Sequence, residues 1–208
     1  MTYNKELIAG KLRRWEKYLE NYRLPDWEEI PDFGLYMDQV VTLLTQYLDY
    51  MPPELKDEQI ITPAAINNYV RKKIMPEPIR KKYYRVHIAY LVMVCTLKQS
   101  LSIPTLKNMI PMGLSEEELK RVYSAFVARH RLSCTYFLKQ VRIAAGGILD
   151  HGADEVTEIT TDDTNDLISS VAVISGFARL MAEKLLLLEG KDLTNGGSIE
   201  VRGDGKQD

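Results

Sequence analysis

Apolar residues recur every three or four positions along most of this chain, which is the spacing of helices with one buried face. One such segment covers residues 4–22. Another runs through LYMDQVVTLLTQYLDYM, residues 35–51. No segment alternates apolar and polar residues convincingly enough to predict a strand. The pattern therefore predicts a mainly α-helical protein.

The next helices are predicted from their start signals. Thr62 is followed by proline, and its hydroxyl can accept hydrogen bonds from free backbone amides at a helix N-terminus. This predicts a short helix that ends at about Arg71 or Lys72. A longer helix is expected over about residues 85–99, and a short one over 102–110.

The C-terminal part of the chain has apolar positions that alternate steps of four and three. A capping box at Ser115 and Glu118 predicts the start of a long helical region that reaches about Leu149. Its seam is Tyr123, Val127, His130, Cys134, Phe137, Val141, Ala144 and Ile148. A second seam is Leu167, Val171, Ile174, Ala178, Met181, Leu185 and Leu188. This period of 3.5 residues predicts paired helices, either as a hairpin or as a dimerisation coiled coil, and one wall of a monomeric core is the alternative.

Composition indicates an ordinary soluble protein. The 208 residues are 45% hydrophobic and 27% charged, with a formal net charge of -2. The N-terminus has no apolar run like that of a signal peptide, and no segment has about 20 uninterrupted apolar residues. Cys95 and Cys134 lie in apolar helical contexts and are expected to be buried, unpaired residues. We therefore expect a cytoplasmic protein without a membrane segment.

The chemistry of catalysis and metal binding is sparse. The three histidines, His87, His130 and His151, do not have metal-ligand spacing, and the cysteines do not form a CxxC motif. Gly146 and Gly147 lack the strand and the lysine of a phosphate-binding loop. We therefore predict that the protein is not an enzyme and holds neither a metal nor a cofactor.

Positive charge is concentrated around one proline-interrupted turn. Within fifteen positions lie seven basic residues and one acid, Glu77. The basic residues are Arg71, Lys72, Lys73, Arg80, Lys81, Lys82 and Arg85. The preference of basic residues for helix C-termini accounts for the first three but not for 80–82. A duplex-binding helix needs polar side chains on one face, which Asn67 and Asn68 supply, and basic neighbours that contact phosphates.

Several short motifs in this region resemble the winged-helix half of MerR-type transcription regulators. They are INNY at 66–69, IMP at 74–76, KKY at 81–83, IAYL at 88–91 and LKQSLSI at 97–103. More closely, LYMDQV, INNYV, KKYYRVHI and LKQSLSI look like a bacterial domain family of unknown function that is itself MerR-like. That resemblance extends over about residues 30–110.

The resemblance implies a division of the chain and a DNA-binding surface. We expect residues 1–29 to form an N-terminal amphipathic helix and connector, 30–112 a MerR-like winged helix domain, 113–189 a helical dimerisation region, and the polar, glycine-rich residues 190–208 a disordered tail. The resemblance implies that the helix beginning at Thr62 contacts the DNA groove or phosphates, and that the loop after it forms a wing. The DNA-binding candidates, including flanking residues, are Thr62, Asn67, Asn68, Arg71, Lys72, Lys73, Arg80, Lys81, Lys82, Tyr83, Tyr84 and Arg85.

Two functional hypotheses follow from these features. The preferred one is a transcription regulator that binds double-stranded DNA through the 62–72 helix and the basic 73–85 wing, and that forms a homodimer through residues 115–189. The alternative is a protein-interaction module that has the winged-helix shape but does not bind DNA, and whose basic loop faces an acidic partner such as its own 150–166 segment. A small-molecule pocket among the C-terminal helices is a weaker third hypothesis.

Overall fold

The computed structural model describes residues 4–49, 61–145, 164–197 and 199, and these residues form a mainly α-helical fold. A short 3-10 turn, Trp27–Glu29, separates the first two of seven α-helices in the described ranges. The helices are α1 (Lys5–Asn21), α2 (Met37–Tyr47), α3 (Pro63–Arg71), α4 (Arg85–Lys98), α5 (Ile103–Met109), α6 (Glu116–Ala144) and α7 (Thr164–Leu186). The predicted helical class is confirmed. The connector at 50–60, Ile148 and most of the acidic 150–166 segment lie outside the described residues.

Helix α4 is the centre of the fold. Every residue from His87 to Leu97 is buried. Helices α2, α5, α6 and α7 all pack against it, so apolar residues are needed on every side of α4. The sequence pattern predicted only one buried face, marked by Ile88 and Leu91. Tyr90 also places its hydroxyl in this core, where it donates to the carbonyl of Pro111 at 2.8 Å.

The predicted helix starts are those of the structure. Ser115 Oγ accepts from the Glu118 amide at 3.3 Å, and Glu118 Oε2 accepts from the Ser115 amide at 2.8 Å, which completes the capping box of α6. Ser102 Oγ caps α5 through the Thr105 amide at 3.3 Å. These signals need only neighbouring residues, which is why they can be identified without the tertiary structure.

Helices α6 and α7 pack along each other within the chain, and α6 also contacts α1 and α4. The described members of the predicted α6 seam face this interior: Tyr123, His130, Cys134 and Phe137 are buried, while Val127 and Val141 are partly buried. Ion pairs join the elements at the rim, between Arg129 and Asp166 and between Arg142 and Glu20. The α6 seam is therefore occupied by other helices of the same chain.

The seam predicted for α7 is right in part, since Met181 and Leu188 are buried and Ile174 and Leu185 are partly buried. Val171 is 58% exposed and Ala178 is exposed, although both were assigned to the seam. The buried positions of α7 include the adjacent pairs Ala172–Val173 and Leu180–Met181, together with Phe177. Because α7 packs against both α6 and α4, its buried face is broader than a two-helix seam and also includes Ala172, Val173, Phe177 and Leu180.

A turn after α7 packs against the start of the chain. Asp192 Oδ1 accepts from the amides of Thr194 at 2.8 Å and Asn195 at 3.2 Å. Gly196 is buried, and a Cβ at this position would lie 2.5 Å from a methyl group of Leu7. The turn belongs to the 190–208 segment for which composition predicts disorder, yet residues 192–196 have a defined hydrogen-bonded conformation. Residues 198 and 200–208 lie outside the described chain.

Candidate nucleic-acid interface

The first element of the candidate interface is α3, which begins at Thr62. The Thr62 hydroxyl accepts from the Ala65 amide at 3.1 Å, and Pro63 occupies the first helical position. Both features were predicted from the sequence. Thr62, one of the candidate contact residues, therefore acts in the structure as the cap that fixes where α3 begins.

The two faces of α3 have different chemistry. Ile66 and Tyr69 are buried and attach the helix to the core. Asn67 and Arg71, four residues apart, are exposed together on the opposite side. Arg71 Nη2 donates to Asn68 Oδ1 at 2.8 Å, which orients the guanidinium along the helix. An amide and a guanidinium on one exposed face are groups that can pair with adenine and guanine edges.

Helix α3 ends in a Schellman motif at a lysine. The Lys73 amide donates to the Val70 carbonyl at 2.9 Å, and the Ile74 amide donates to the Tyr69 carbonyl at 3.2 Å. Lys73 has a φ of 55°, the left-handed conformation that glycine usually supplies at this position. Lys72 and Lys73 are both exposed, so the turn carries two cations at the surface.

Residues 79–82 form a tight β-hairpin turn with a two-residue loop, which we name the basic hairpin. The Ile79 amide donates to the Lys82 carbonyl and the Lys82 amide donates to the Ile79 carbonyl, both at 3.0 Å. Arg80 and Lys81 at the tip have φ values of 49° and 65°. Such turns require positive φ at both central residues and usually contain asparagine and glycine there. Here both tip positions are basic and exposed.

The basic hairpin is joined to the domain through Tyr83. The Leu35 amide donates to the Tyr83 carbonyl and the Tyr83 amide donates to the Leu35 carbonyl, both at 2.8 Å. Tyr83 is only 3% exposed and Leu35 only 6%. The Tyr83 side chain is therefore part of the core and does not reach the surface as the wing contact that the resemblance implied. Of the two tyrosines considered for that contact, the partly exposed one is Tyr84.

His87 connects the two ends of the loop that contains the basic hairpin. Its Nδ1 accepts from the Tyr84 amide at 3.0 Å, and its Nε2 lies 2.9 Å from the Glu77 carbonyl oxygen. Because Nδ1 accepts, the proton must be on Nε2, which donates to Glu77. His87 is 3% exposed and sits at the first turn of α4. It is a structural residue for the loop, and the sequence showed only that it lacked metal-ligand spacing.

Arg85 also has a structural role. Its Nε donates to the Ile30 carbonyl at 2.8 Å, and its guanidinium carbon lies 6.0 Å from the ring centroid of Trp27. The side chain is partly buried. Arg85 therefore connects α4 to the segment before α2, and it is the second of the twelve candidates, after Tyr83, whose side chain is directed to the protein interior.

The backbone of this region is strained only at basic residues. Among the described residues, the non-glycine positions with positive φ are Lys73, Arg80 and Lys81. The left-handed conformation costs a residue with a Cβ about 1–2 kcal/mol relative to a right-handed one. Strain of this kind clusters at functional sites, where the side chain is required. The observation marks these three cations as the centre of the candidate interface.

Exposed apolar side chains adjoin the basic hairpin. Tyr36 is 57% exposed, Phe33 63% and Ile79 58%. Lys82 Nζ lies 5.2 Å from the Tyr36 ring centroid. The sequence analysis missed this group, because Tyr36 and Phe33 are separated from the hairpin by more than forty positions and meet it only through the Leu35–Tyr83 pairing.

Residues 25–126 match a family described as Domain of unknown function (DUF1836). This segment is just under half of the chain, and it contains α2 to α5, the basic hairpin and the first part of α6. No curated protein and no solved structure matches the chain. The match confirms that this segment is similar to a domain family of unknown function. The MerR-like interpretation of the same motifs stays a prediction.

The described residues were also compared with the requirements of a reactive thiol, a metal site and a membrane-spanning helix. Cys95 and Cys134 are free and buried, and burial raises the pKa of each thiol to about 12, so they are un-ionised core residues as predicted. In the part of the chain that is described, no cluster of three or more histidine, cysteine, aspartate or glutamate residues is arranged to hold a metal ion. None of the described helices is long and apolar enough to span a membrane.

A polar cavity of about 140 Å³ lies between α1 and α6. Its wall includes Arg142, whose guanidinium is paired with Glu16 and Glu20. The charge of this arginine is therefore compensated within the protein, unlike the exposed cations at the tip of the basic hairpin. The hairpin surface is the stronger candidate for a functional site.

Proposed function

We propose that this protein is a homodimeric, DNA-binding transcription regulator whose MerR-like winged-helix domain meets duplex DNA through α3 and the basic hairpin. The observation that carries the proposal is the placement of Arg80 and Lys81 at the tip of a two-residue turn, in a conformation unfavourable to their side chains. Glycine or asparagine would form this turn at lower energy. A requirement for positive charge at the tip explains the choice of residues.

The charges on α3 and on the basic hairpin suit two different contacts. Four exposed cations lie outside the exposed face of α3, at its C-terminal turn and at the hairpin tip, so we assign them to phosphates: Lys72, Lys73, Arg80 and Lys81. Asn67 and Arg71 project from the exposed side of a helix, so they are assigned to base edges in the major groove. Buried Ile66 and Tyr69 hold that helix in place.

The dimer in this proposal uses surfaces that the single chain leaves open. The α6 seam is already covered by helices of the same chain, so it is not available to a second copy. Within the proposed 115–189 region, the exposed apolar residues include Ile143 at 62% and Val171 at 58%. A two-fold dimer would place two α3 helices symmetrically and would require an inverted-repeat operator.

Charge reversal at the hairpin tests the phosphate contacts. The double variant Arg80→Glu with Lys81→Glu should bind every duplex at least tenfold more weakly, because it loses attraction and gains repulsion. The slope of log K against log salt should fall by about two, since each lost phosphate contact removes about 0.9. Fluorescence anisotropy with genomic fragments at several salt concentrations measures both quantities.

The matched control reverses two charges elsewhere. Arg13 and Lys17 are exposed on α1, one turn apart, so Arg13→Glu with Lys17→Glu makes the same change in net charge. Its affinity should stay within about twofold of wild type. Wild-type protein that shifts no DNA fragment at low salt would overturn the proposal and favour the protein-interaction hypothesis.

Loss of one base contact tests the role of α3. Asn67→Ala removes an exposed amide without affecting the core, so it should reduce the preference for the selected operator and leave non-specific affinity unchanged. Selection of bound DNA from a random pool at two salt concentrations would first define the operator. If wild type and variant prefer the operator over other DNA to the same extent, Asn67 does not contact a base.

A further inference from the structure

The backbone pairing around the basic hairpin determines which side chains share a face. Leu35 and Tyr83 are directly opposite each other, and so are Ile79 and Lys82. Residues on either side of an opposed pair point to the other face, and opposed residues point to the same face. Leu35 and Tyr83 therefore share the buried face. The other face is formed by Tyr36, Ile79, Lys82 and Tyr84, which we name the platform.

Distances agree with this assignment. Lys82 Nζ lies 5.2 Å from the Tyr36 ring centroid, across the pairing. A Cβ built on Gly34 would lie 2.9 Å from Tyr84 Cζ and 2.9 Å from Lys82 Cδ, so both side chains cover the glycine on this face. Because Gly34 has no Cβ, the side chains of Tyr84 and Lys82 can pack against its backbone.

The platform is open to solvent. Tyr36 is 57% exposed and Ile79 58%, and Phe33 beside Gly34 is 63% exposed. A single exposed apolar residue is ordinary, but a contiguous group bordered by cations is typical of a binding surface. Tyr36 is therefore accessible to solvent, with the Lys82 ammonium group beside its ring.

The chemistry of the platform selects its occupant. Lys82 on the platform and Arg80 and Lys81 beside it favour an anionic partner, and the exposed Tyr36 ring favours a flat π-system. A fully paired duplex presents phosphates to such a surface but keeps its base faces within the stack. An unpaired nucleotide supplies both a phosphate and a free base face. An acidic polypeptide supplies the charge but not the flat ring.

We propose that the platform stacks on an unpaired base whose phosphates are held by the basic hairpin, so that the protein binds DNA with an opened step more tightly than the same DNA fully paired. This inference rests on the proposed DNA-binding function and specifies which form of DNA the hairpin side contacts. Tyr36 is the stacking residue, and Lys82 positions its ring.

Three DNA probes of one sequence test the inference by fluorescence anisotropy: a paired duplex, the same duplex with a four-nucleotide mismatch bubble, and the single strand. Wild-type protein should bind the bubble about tenfold more tightly than the duplex, which is the scale of one base–aromatic stack. Tyr36→Ala and Tyr36→Leu should abolish this difference, and Tyr36→Trp should preserve it. Duplex affinity should change less than twofold in all three variants.

Controls separate the stacking from hydrophobicity and from misfolding. Leucine keeps an apolar surface without a π-face, so loss in Tyr36→Leu together with retention in Tyr36→Trp identifies stacking. Tyr36 is exposed, so the variants should unfold at the wild-type temperature. Leu193→Ala, at an exposed apolar position in the turn after α7 and outside the proposed dimer region, should bind all three probes like wild type.

Each other result overturns the inference in a distinguishable way. Equal wild-type affinity for bubble and duplex removes the preference for an unpaired base and leaves the duplex-binding function intact. An equal loss of affinity for both probes in Tyr36→Ala assigns the ring to the paired duplex. Failure to bind any of the probes at low salt overturns the proposed function as well. Binding of polyglutamate alone, lost in Tyr36→Ala, assigns the platform to an acidic polypeptide.

Discussion

The basic hairpin and the α6–α7 pair differ in where they place their polar groups. The hairpin directs Arg80 and Lys81 into solvent on a strained backbone, and backbone hydrogen bonds and His87 hold it in place. The α6–α7 pair does the reverse and buries His130 among the rings of Tyr22, Phe126 and Phe177. From this difference we expect the stability of the core and the charge of the candidate interface to depend on separate parts of the chain, so that one can be altered without the other.

The largest expected effect is loss of a ring between α6 and α7. Phe177 is 5% exposed, stacks on Phe137 at 5.6 Å and meets His130 edge-on at 5.5 Å. Phe177→Ala leaves a cavity and should lower the free energy of unfolding by about 3–5 kcal/mol. Urea denaturation followed by circular dichroism measures the loss. A loss below about 1 kcal/mol would show that the packing between α6 and α7 contributes little to the free energy of unfolding.

The second effect is a pH dependence from His130. Burial lowers its pKa to about 4, whereas an unfolded histidine has a pKa near 6.5. Between these values the unfolded chain binds a proton that the folded chain does not, so stability falls as the pH decreases. At pH 5 the loss from this residue relative to pH 7.5 should be about 2 kcal/mol.

The control for this effect is a variant without the titrating group. His130→Phe keeps a ring among the aromatic neighbours, so its unfolding free energy should change less between pH 7.5 and pH 5. Hydrogen bonds from Arg23 and the Asp26 amide lower the pKa of Glu29 to about 2, and its usual pKa already lies below 5, so Glu29 contributes little in this window. The same pH slope in wild type and variant would contradict the assignment to His130.

The third effect concerns the support of the hairpin loop. His87→Leu removes the acceptor of the Tyr84 amide and the donor to the Glu77 carbonyl, which should cost about 1–3 kcal/mol of stability. Hydrogen exchange should accelerate most at the amides of Tyr84 and Lys82. Uniform acceleration across α6 and α7 would show that His87 supports the whole core and not the loop.

The smallest effect has the opposite sign and separates the two regions most clearly. Arg80→Asn with Lys81→Gly gives the turn the residues that its backbone favours, so it should stabilise the protein by about 1 kcal/mol. The same variant should bind DNA several-fold more weakly, because two phosphate contacts are lost. Urea denaturation and anisotropy on one preparation measure both. A destabilised variant would mean that the two basic side chains make stabilising contacts in the fold.

Local signals in the sequence predicted the helices well. Thr62 with Pro63, Ser102 and the pair Ser115–Glu118 begin helices where expected, because capping depends on residues within three positions. The buried face of α7 was predicted only in part, since an apolar period marks one stripe of a helix but not the number of helices that pack around it. Packing against both α4 and α6 widened the buried face and left Val171 in solvent.

The candidate site was predictable only in part. The clustering of basic residues at 71–85 is visible in the sequence. In the structure the cations at the end of α3 and at the hairpin tip are exposed, and so is Asn67. The inward direction of Tyr83 and Arg85 was not predictable, because it depends on the distant partners Leu35 and Ile30. The same distant pairing brings Tyr36 next to Lys82.

The helical class, the helix starts and the local concentration of positive charge each follow from spacing along the chain. The packing of the elements sets which of these charges are exposed, which aromatic rings lie beside them and how broad the buried face of α7 is. These properties depend on contacts between residues far apart in sequence. The physical reason is that burial and pairing depend on all neighbouring elements together, whereas capping and periodicity depend on one.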